Sequence, residues 1–152
     1  MPPFGFNINP RAYNIKAAKG KDMQTIYNFL KKAKVYYLAT CEGVQPRVRP
    51  FGTINLFEDK LYIMTSKAKT VSRQLHENPK IEISAYVKDR WLRLEASLVE
   101  DSRQAPRDSM LNAYPELEAV FPRDDENTEL WFLRNASAGI YELGKDTEIH
   151  KF

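Results

Sequence analysis

"VYYLATCEGVQPRVRPFGTINLFEDKLYIMT", residues 35–65, decides the fold: aromatic and β-branched residues gather there in runs separated by turn formers. The pattern predicts strands over 35–40, 46–57 and 60–65, with turns at Glu42-Gly43 and Glu58-Asp59. An antiparallel meander is the simplest topology for three such strands, and it makes the second the neighbour of the third.

On the N-terminal side, "DMQTIYNFLKKA" places Met23, Ile26, Tyr27 and Leu30 on one helical face, with Asp22 positioned to cap it. On the other side, "KTVSRQLHENP" predicts a short helix stopped by Asn78-Pro79, and "KIEISAYV" and "WLRLEASLVE" alternate as further strands. Ser102 is placed to cap another helix, "SRQAPRDSMLNAY", where Pro106 fits only near the first turn. "PRDDENTE" predicts a loop, "LWFLRNA" and "AGIYEL" two more strands, and the rest a polar tail through His150. About seven strands and three short helices predict a mainly β chain, a small antiparallel barrel bridged by helices.

Composition narrows the class. With 152 residues, 43% hydrophobic and 12% aromatic, the chain can fill one core and is short for two. Residues 1–20, with Pro2, Pro3, Gly5, Pro10 and Gly20, suggest an N-terminal arm on a single domain spanning 21–152. The 23 basic and 20 acidic residues leave a net +3, which argues against a nucleic-acid partner unless the cations gather on one face. Cys41 is the only cysteine, so an internal disulfide and a Cys-rich metal site are excluded, and a reducing, cytoplasmic setting fits. No apolar run approaches the roughly 18 residues of a membrane span, and no membrane association is expected. No metal is expected either, since "RDDENTE" lacks the spaced ligands and glycine of a calcium loop.

"TSKAKT", residues 65–70, turns small, hydroxylic and cationic where the short helix begins. A helix N-terminus favours an anion, which Ser66, Thr70, Lys67 and Lys69 can hold; a capped helix with solvated lysines uses the same residues. In "RVRPFG", two-residue periodicity puts Arg47 and Arg49 on one face, while Pro50 and Gly52 open the backbone to a flat ligand. An edge strand with surface arginines is the alternative. His76 is expected to favour a helix C-terminal dipole, His150 to lie exposed in the tail, Cys41 to be a bystander, and Trp131 and Phe132 to pack the barrel or a dimer interface.

The ordered set "YYLAT…GVQPRVRPFG…KLYIMTSKAKTVSRQLHENPKIEIS…RWLRLEA", followed by "ELWFLRNASAGIYEL", resembles the pyridoxamine 5'-phosphate oxidase-like flavoproteins of the FMN-binding split-barrel fold, small bacterial members above all. The likeness covers residues 22–143. It implies that Arg49 binds the FMN phosphate and that Pro50 and Phe51 run their backbone along the flavin ring. It implies further that Thr65 and Ser66 touch the flavin and its ribityl chain, that Lys69 and Thr70 hold the phosphate, and that Trp91 lies against the isoalloxazine. It also implies a homodimer with the cofactor at its interface, where residues near Trp131 reach the partner's flavin.

Two departures stand out. Ile54 occupies the place of a second phosphate-binding cation, which shifts weight onto Lys69, and Ala138 and Ile140 replace the basic motif that receives pyridoxal, so vitamin B6 oxidation is not implied. The expected function is an FMN-dependent oxidoreductase that passes hydride or electrons between a reduced nicotinamide or other small donor and an unidentified acceptor. The flavin supplies the redox chemistry, and no protein residue is singled out as catalytic. The alternatives are a non-catalytic FMN-binding protein and a cofactor-free barrel. The latter would bind single-stranded nucleic acid through Arg47, Arg49, Lys67 and Lys69, with Tyr62 and Trp91 exposed for stacking.

Overall fold

The computed structural model describes residues 19–152. The N-terminal arm expected over 1–20 thus falls, through residue 18, outside the described residues. Helix α1 (Lys19–Ala33) starts ahead of Asp22, which sits in its first turn rather than at its cap. One face buries Ile26 and Leu30 at 0% and 1% exposure. The Asp22 carboxylate reaches across the chain instead, pairing with His150 Nδ1 at 2.9 Å and accepting the Lys151 N–H at 3.1 Å.

The other elements are β1 (Tyr36–Glu42), β2 (Gln45–Phe51), β3 (Asn55–Phe57), β4 (Lys60–Ser66), α2 (Thr70–Glu77), β5 (Lys80–Val87) and β6 (Arg90–Glu100), then α3 (Gln104–Ala113), a 3-10 turn at Pro115–Ala119, β7 (Thr128–Glu142) and β8 (Glu148–Lys151). All pairings are antiparallel, in the order β2-β1-β5-β6-β7-β4-β3, with β8 added on β7. This is a split barrel.

The meander is overturned. The run 46–57 is not one strand: it breaks at 52–54, and its halves end on opposite edges of the sheet, so β2 and β4 are not neighbours. The cause is visible at the break. Ile54 turns into the core, the Tyr36 hydroxyl donates to the Thr53 carbonyl at 2.6 Å, and Thr53 Oγ1 accepts the Met64 N–H at 3.2 Å. The Tyr114 hydroxyl accepts the Ile54 N–H and donates to its carbonyl, both at 3.1 Å. Side chains thus close the seam where the backbone ladder stops.

The C-terminal half differs too. The two strands expected there form one strand of 15 residues, β7, and the polar tail supplies β8. Asn135 (φ 54°) lies beside a register shift opposite Glu95 and Ser97, a bulge through which β7 passes unbroken.

Cross-strand register fixes which face is the core. Leu38, Ile83, Leu94 and Ala138 stand opposite one another and are buried, while the alternate positions face outward. Ile54, Ala138 and Ile140, the three places where relatives' cations were expected, are all core residues, which explains their apolar character. A second cluster under α3 holds Tyr62, Met64, Met110, Leu111 and Leu130. Tyr62 is 0% exposed and donates its hydroxyl to Asp101, so it offers no stacking surface to a nucleic acid. On the edge, β2 is mostly exposed and carries Pro46 and Pro50, tolerated because among the described residues it pairs only with β1. Among the described residues no helix is long and apolar enough to cross a membrane.

Candidate functional site

Helix α2 links β4 to β5 and docks on β1 through one buried amide. Gln74, 2% exposed, accepts at Oε1 from Thr40 Oγ1 and from Arg49 Nη2, each at 2.6 Å. Arg49 Nη1 donates to Thr40 Oγ1 at 2.7 Å and to the Leu38 carbonyl at 3.2 Å. Arg49 stands opposite Leu38, on the core-facing side of the edge strand, so its stem is half-buried while its guanidinium meets the helix. Gln74 Nε2 donates in turn to Glu42 Oε2 at 2.7 Å, and Glu42 also lies 3.3 Å from Arg73 and 3.6 Å from Arg47.

These groups border a cleft of about 440 Å³ with Thr70, the first residue of α2, on its wall. Three guanidiniums, Arg47, Arg49 and Arg73, face one carboxylate, Glu42, an excess of two positive charges (three minus one). Among the described residues Arg49 has no carboxylate partner. Burial, and then the Arg47 charge, push its pKa below the usual guanidinium value, so a bound anion would relieve both. The Glu42 carboxyl is held below its ordinary range, first by the Gln74 hydrogen bond and then by Arg47 and Arg73.

The "TSKAKT" segment shapes the mouth of α2. Ser66 accepts the Ala68 N–H at Oγ (3.3 Å) and the Lys69 N–H at its carbonyl (3.0 Å), tightening the turn. Lys69 occupies the N-cap and is exposed; its carbonyl accepts the Ser72 N–H at 3.0 Å, but its side chain adds no capping oxygen. Thr65 is 1% exposed, and its Oγ1 has no hydrogen-bond partner among the described residues. A buried hydroxyl without a partner, near the end of the strand that leads into α2, leaves hydrogen-bonding capacity that a phosphate-bearing, hydroxylated ligand such as FMN would fit.

Of the sequence-predicted residues, Arg49 and Thr70 share the cleft with Arg47. Pro50 and Phe51 end β2 beside it, Phe51 stacking on Tyr36 at 6.0 Å. Trp91 lies elsewhere: it points to the outer face, opposite Tyr86, and stacks on Tyr141 at 5.5 Å and 14°. Its strand is three places from β2, about 14 Å at the usual strand spacing. Trp131 is 3% exposed within its own core.

Thr40, Glu42, Arg73 and Gln74 escaped the sequence reading. One signal was present: Gln74 sits with Val71 and Leu75 on the apolar face of α2, where a buried amide demands partners. His76, in the last turn of α2, does more than face a dipole. Its Nε2 lies 3.1 Å from the buried Glu129 and 3.8 Å from Glu100, and Glu129 also accepts Trp131 Nε1–H at 3.2 Å. His150 is not an exposed tail residue but part of β8, paired with Asp22.

Comparison with known proteins agrees with this architecture. The family model for pyridoxamine 5'-phosphate oxidase matches residues 23–134. A NimC/NimA family protein from Clostridium acetobutylicum is 34% identical, with TM-score 0.86 over 88% of this chain and 94% of its own. From the same organism, a protein related to general stress protein 26 of B. subtilis is 17% identical, with TM-score 0.66 over 88% of this chain and 96% of its own. A haem storage protein from Vibrio cholerae shares the fold at 16% identity and TM-score 0.62, over 78% of this chain and 92% of its own. No curated protein matched the sequence. With the order of its strands, the cleft on its edge strand and the match across most of its length, this chain belongs to the pyridoxamine 5'-phosphate oxidase family.

Proposed function

We propose that the chain binds FMN, with the phosphate in the cleft between β2 and α2, and works as an oxidoreductase between a reduced nicotinamide or other small donor and a second small molecule. The observation that carries this reading is Arg49: a half-buried guanidinium, fixed by Thr40, Gln74 and the Leu38 carbonyl, with no carboxylate partner among the described residues. Arg47, Arg73 and Thr70 would share the phosphate, with Lys69 adding charge from the helix mouth. The Pro50 and Phe51 backbone would flank the flavin ring, and Thr65 and Ser66 would meet its hydroxylated chain. When bound, FMN supplies the two-electron chemistry. The protein's part is to hold the phosphate, orient the ring and keep one face open.

The reading includes a homodimer. Supporting it, the outer sheet face presents Tyr37, Val48 and Tyr86 at 54%, 66% and 66% exposure, with the Trp91–Tyr141 stack alongside. On that face Trp91 would serve the partner's cofactor rather than its own. With a reduced nicotinamide as its donor, the protein would work in the cytoplasm.

The test is the visible spectrum of the purified protein, before and after adding FMN and removing the excess. Twin flavin bands that stay with the protein, and an affinity for FMN far above that for riboflavin, are expected. A spectrum that stays blank refutes the reading, and a Soret band would assign haem in place of flavin.

A further inference from the structure

Glu42 is an unexpected tenant of an anion cleft. Among the described residues it is the only carboxylate paired with Arg47 or Arg73, and it also takes the free end of the Gln74 amide. We infer that Glu42 is a built-in competitor for the anion seat: its carboxylate holds the groups that a ligand phosphate must take, and phosphate binds by displacing it. The inference rests on the cleft being a phosphate seat.

Three features carry it. Only the Gln74 contact, at 2.7 Å, is as short as a good charge-assisted bond; Arg73 at 3.3 Å and Arg47 at 3.6 Å are held loosely. Glu42 is the last residue of β1, its side chain is 36% exposed, and the exposed Gly43 (φ 60°) and Val44 follow it, so swinging it out disturbs no core. Arg49 is not reached by Glu42 among its contacts and stays uncompensated behind it.

The exchange has a consequence for specificity. A ligand with one negative charge replaces Glu42 at no electrostatic gain. A phosphate monoester, carrying about −1.5 to −2 at neutral pH and three acceptor oxygens, gains both charge and hydrogen bonds. Glu42 therefore sets a charge threshold that favours phosphate monoesters over carboxylates.

Glu42→Gln keeps the shape and an acceptor for Gln74 while removing the charge; Glu42→Ala removes both. The probes are inorganic phosphate, by isothermal titration calorimetry, and FMN with riboflavin as control, by flavin fluorescence. Both variants should bind phosphate and FMN about tenfold more tightly than the parent protein, the scale of removing a like charge, with riboflavin unchanged. Phosphate affinity unchanged or reduced in both, with melting curves showing an intact fold, overturns the inference and makes Glu42 a positioning residue for the arginines. If no form takes FMN but the variants gain phosphate, the flavin reading fails and the competitor stands. If all forms take FMN equally and phosphate shows no gain, the competitor fails and the flavin reading stands.

Discussion

Replacing Gln74 with methionine keeps the length and approximate volume of a buried side chain and deletes its amide. Three hydrogen bonds disappear, to Thr40 and Arg49 at 2.6 Å and to Glu42 at 2.7 Å. Water can re-solvate Glu42, and Thr40 keeps its bond from Arg49 Nη1, so the main loss is the Arg49–Gln74 bond, of the charged kind worth about 1.5–3 kcal/mol. A stability loss of about 2 kcal/mol is expected, a urea midpoint lower by roughly 1 M. Arg49 then retains two of its three anchors, and FMN should bind roughly fivefold more weakly, about 1 kcal/mol, while riboflavin is unaffected. Gln74→Glu should weaken FMN further, because a carboxylate there would pair with Arg49 and cancel its attraction for phosphate. Titration by flavin fluorescence with both ligands, beside urea unfolding, separates the effects. Lost stability with an unchanged FMN-to-riboflavin ratio in both variants would refute the view that Gln74 positions the phosphate site.

Arg49→Ala should cost about 1.5–3 kcal/mol of FMN affinity, whereas Lys69→Ala, at an exposed residue with no ion pair among the described residues, should cost about 0.2–1 kcal/mol; equal losses in the same titration would reject that ranking. Asp101 is held down at about 2, chiefly by the Arg103 guanidinium and then by the Tyr62 hydroxyl. Because its pKa is depressed on folding, this contribution is complete above pH ~4 and disappears as pH falls towards 2. Asp101→Asn should therefore lose about 1–2 kcal/mol at pH 7 and show a flatter stability decline between pH 4 and 2; an unchanged decline in urea melts counts against it. A Cβ on Gly139 would lie 2.6 Å from the Tyr141 hydroxyl, so Gly139→Ala should swing that ring off Trp91 and shift tryptophan emission at a stability cost of about 1 kcal/mol or less; unchanged emission would contradict the stacking.

Local pattern carried much of the fold. Aromatic and β-branched runs marked β1, β2 and β4, and alternation marked β5 and β6, whose inner positions, such as Ile83 and Leu94, are apolar against polar neighbours. Strand order was hidden, because the break at 52–54 depends on partners as distant as Tyr114, which no window around Thr53 contains. The middle of β7 misled for a local reason: Arg134 and Asn135 are polar and exposed at a bulge, so one strand looked like two. A strand of four residues, three of them polar, held to Asp22 at the far end of the chain through His150 and Lys151, made β8 invisible.

The site divides in the same way. Arg49 and Thr70 were legible because each sits at a chemically marked place, a cation on an edge strand and a hydroxyl at a helix start. Glu42, Arg73 and Gln74 join them only because α2 lands on β1, an event between elements. The expected reason for convergence, neighbouring strands, was wrong even though Arg47, Arg49 and Thr70 did converge.

The prolines of β2 bear on how this chain behaves in a crowded solution. Pro46, Val48 and Pro50 share one phase of the strand, opposite Cys41, Ala39 and Tyr37. Since proline has no N–H to give, these positions direct their nitrogens away from β1, toward a margin of the sheet that is unpaired among the described residues. Two of the three donors that a stray strand would need along that stretch are missing, leaving Val48 alone between two blanks. The margin that carries Arg47 and Arg49 is thereby a poor template for strand addition, and the protein can keep a cationic cleft on an open edge without inviting fibrous self-association.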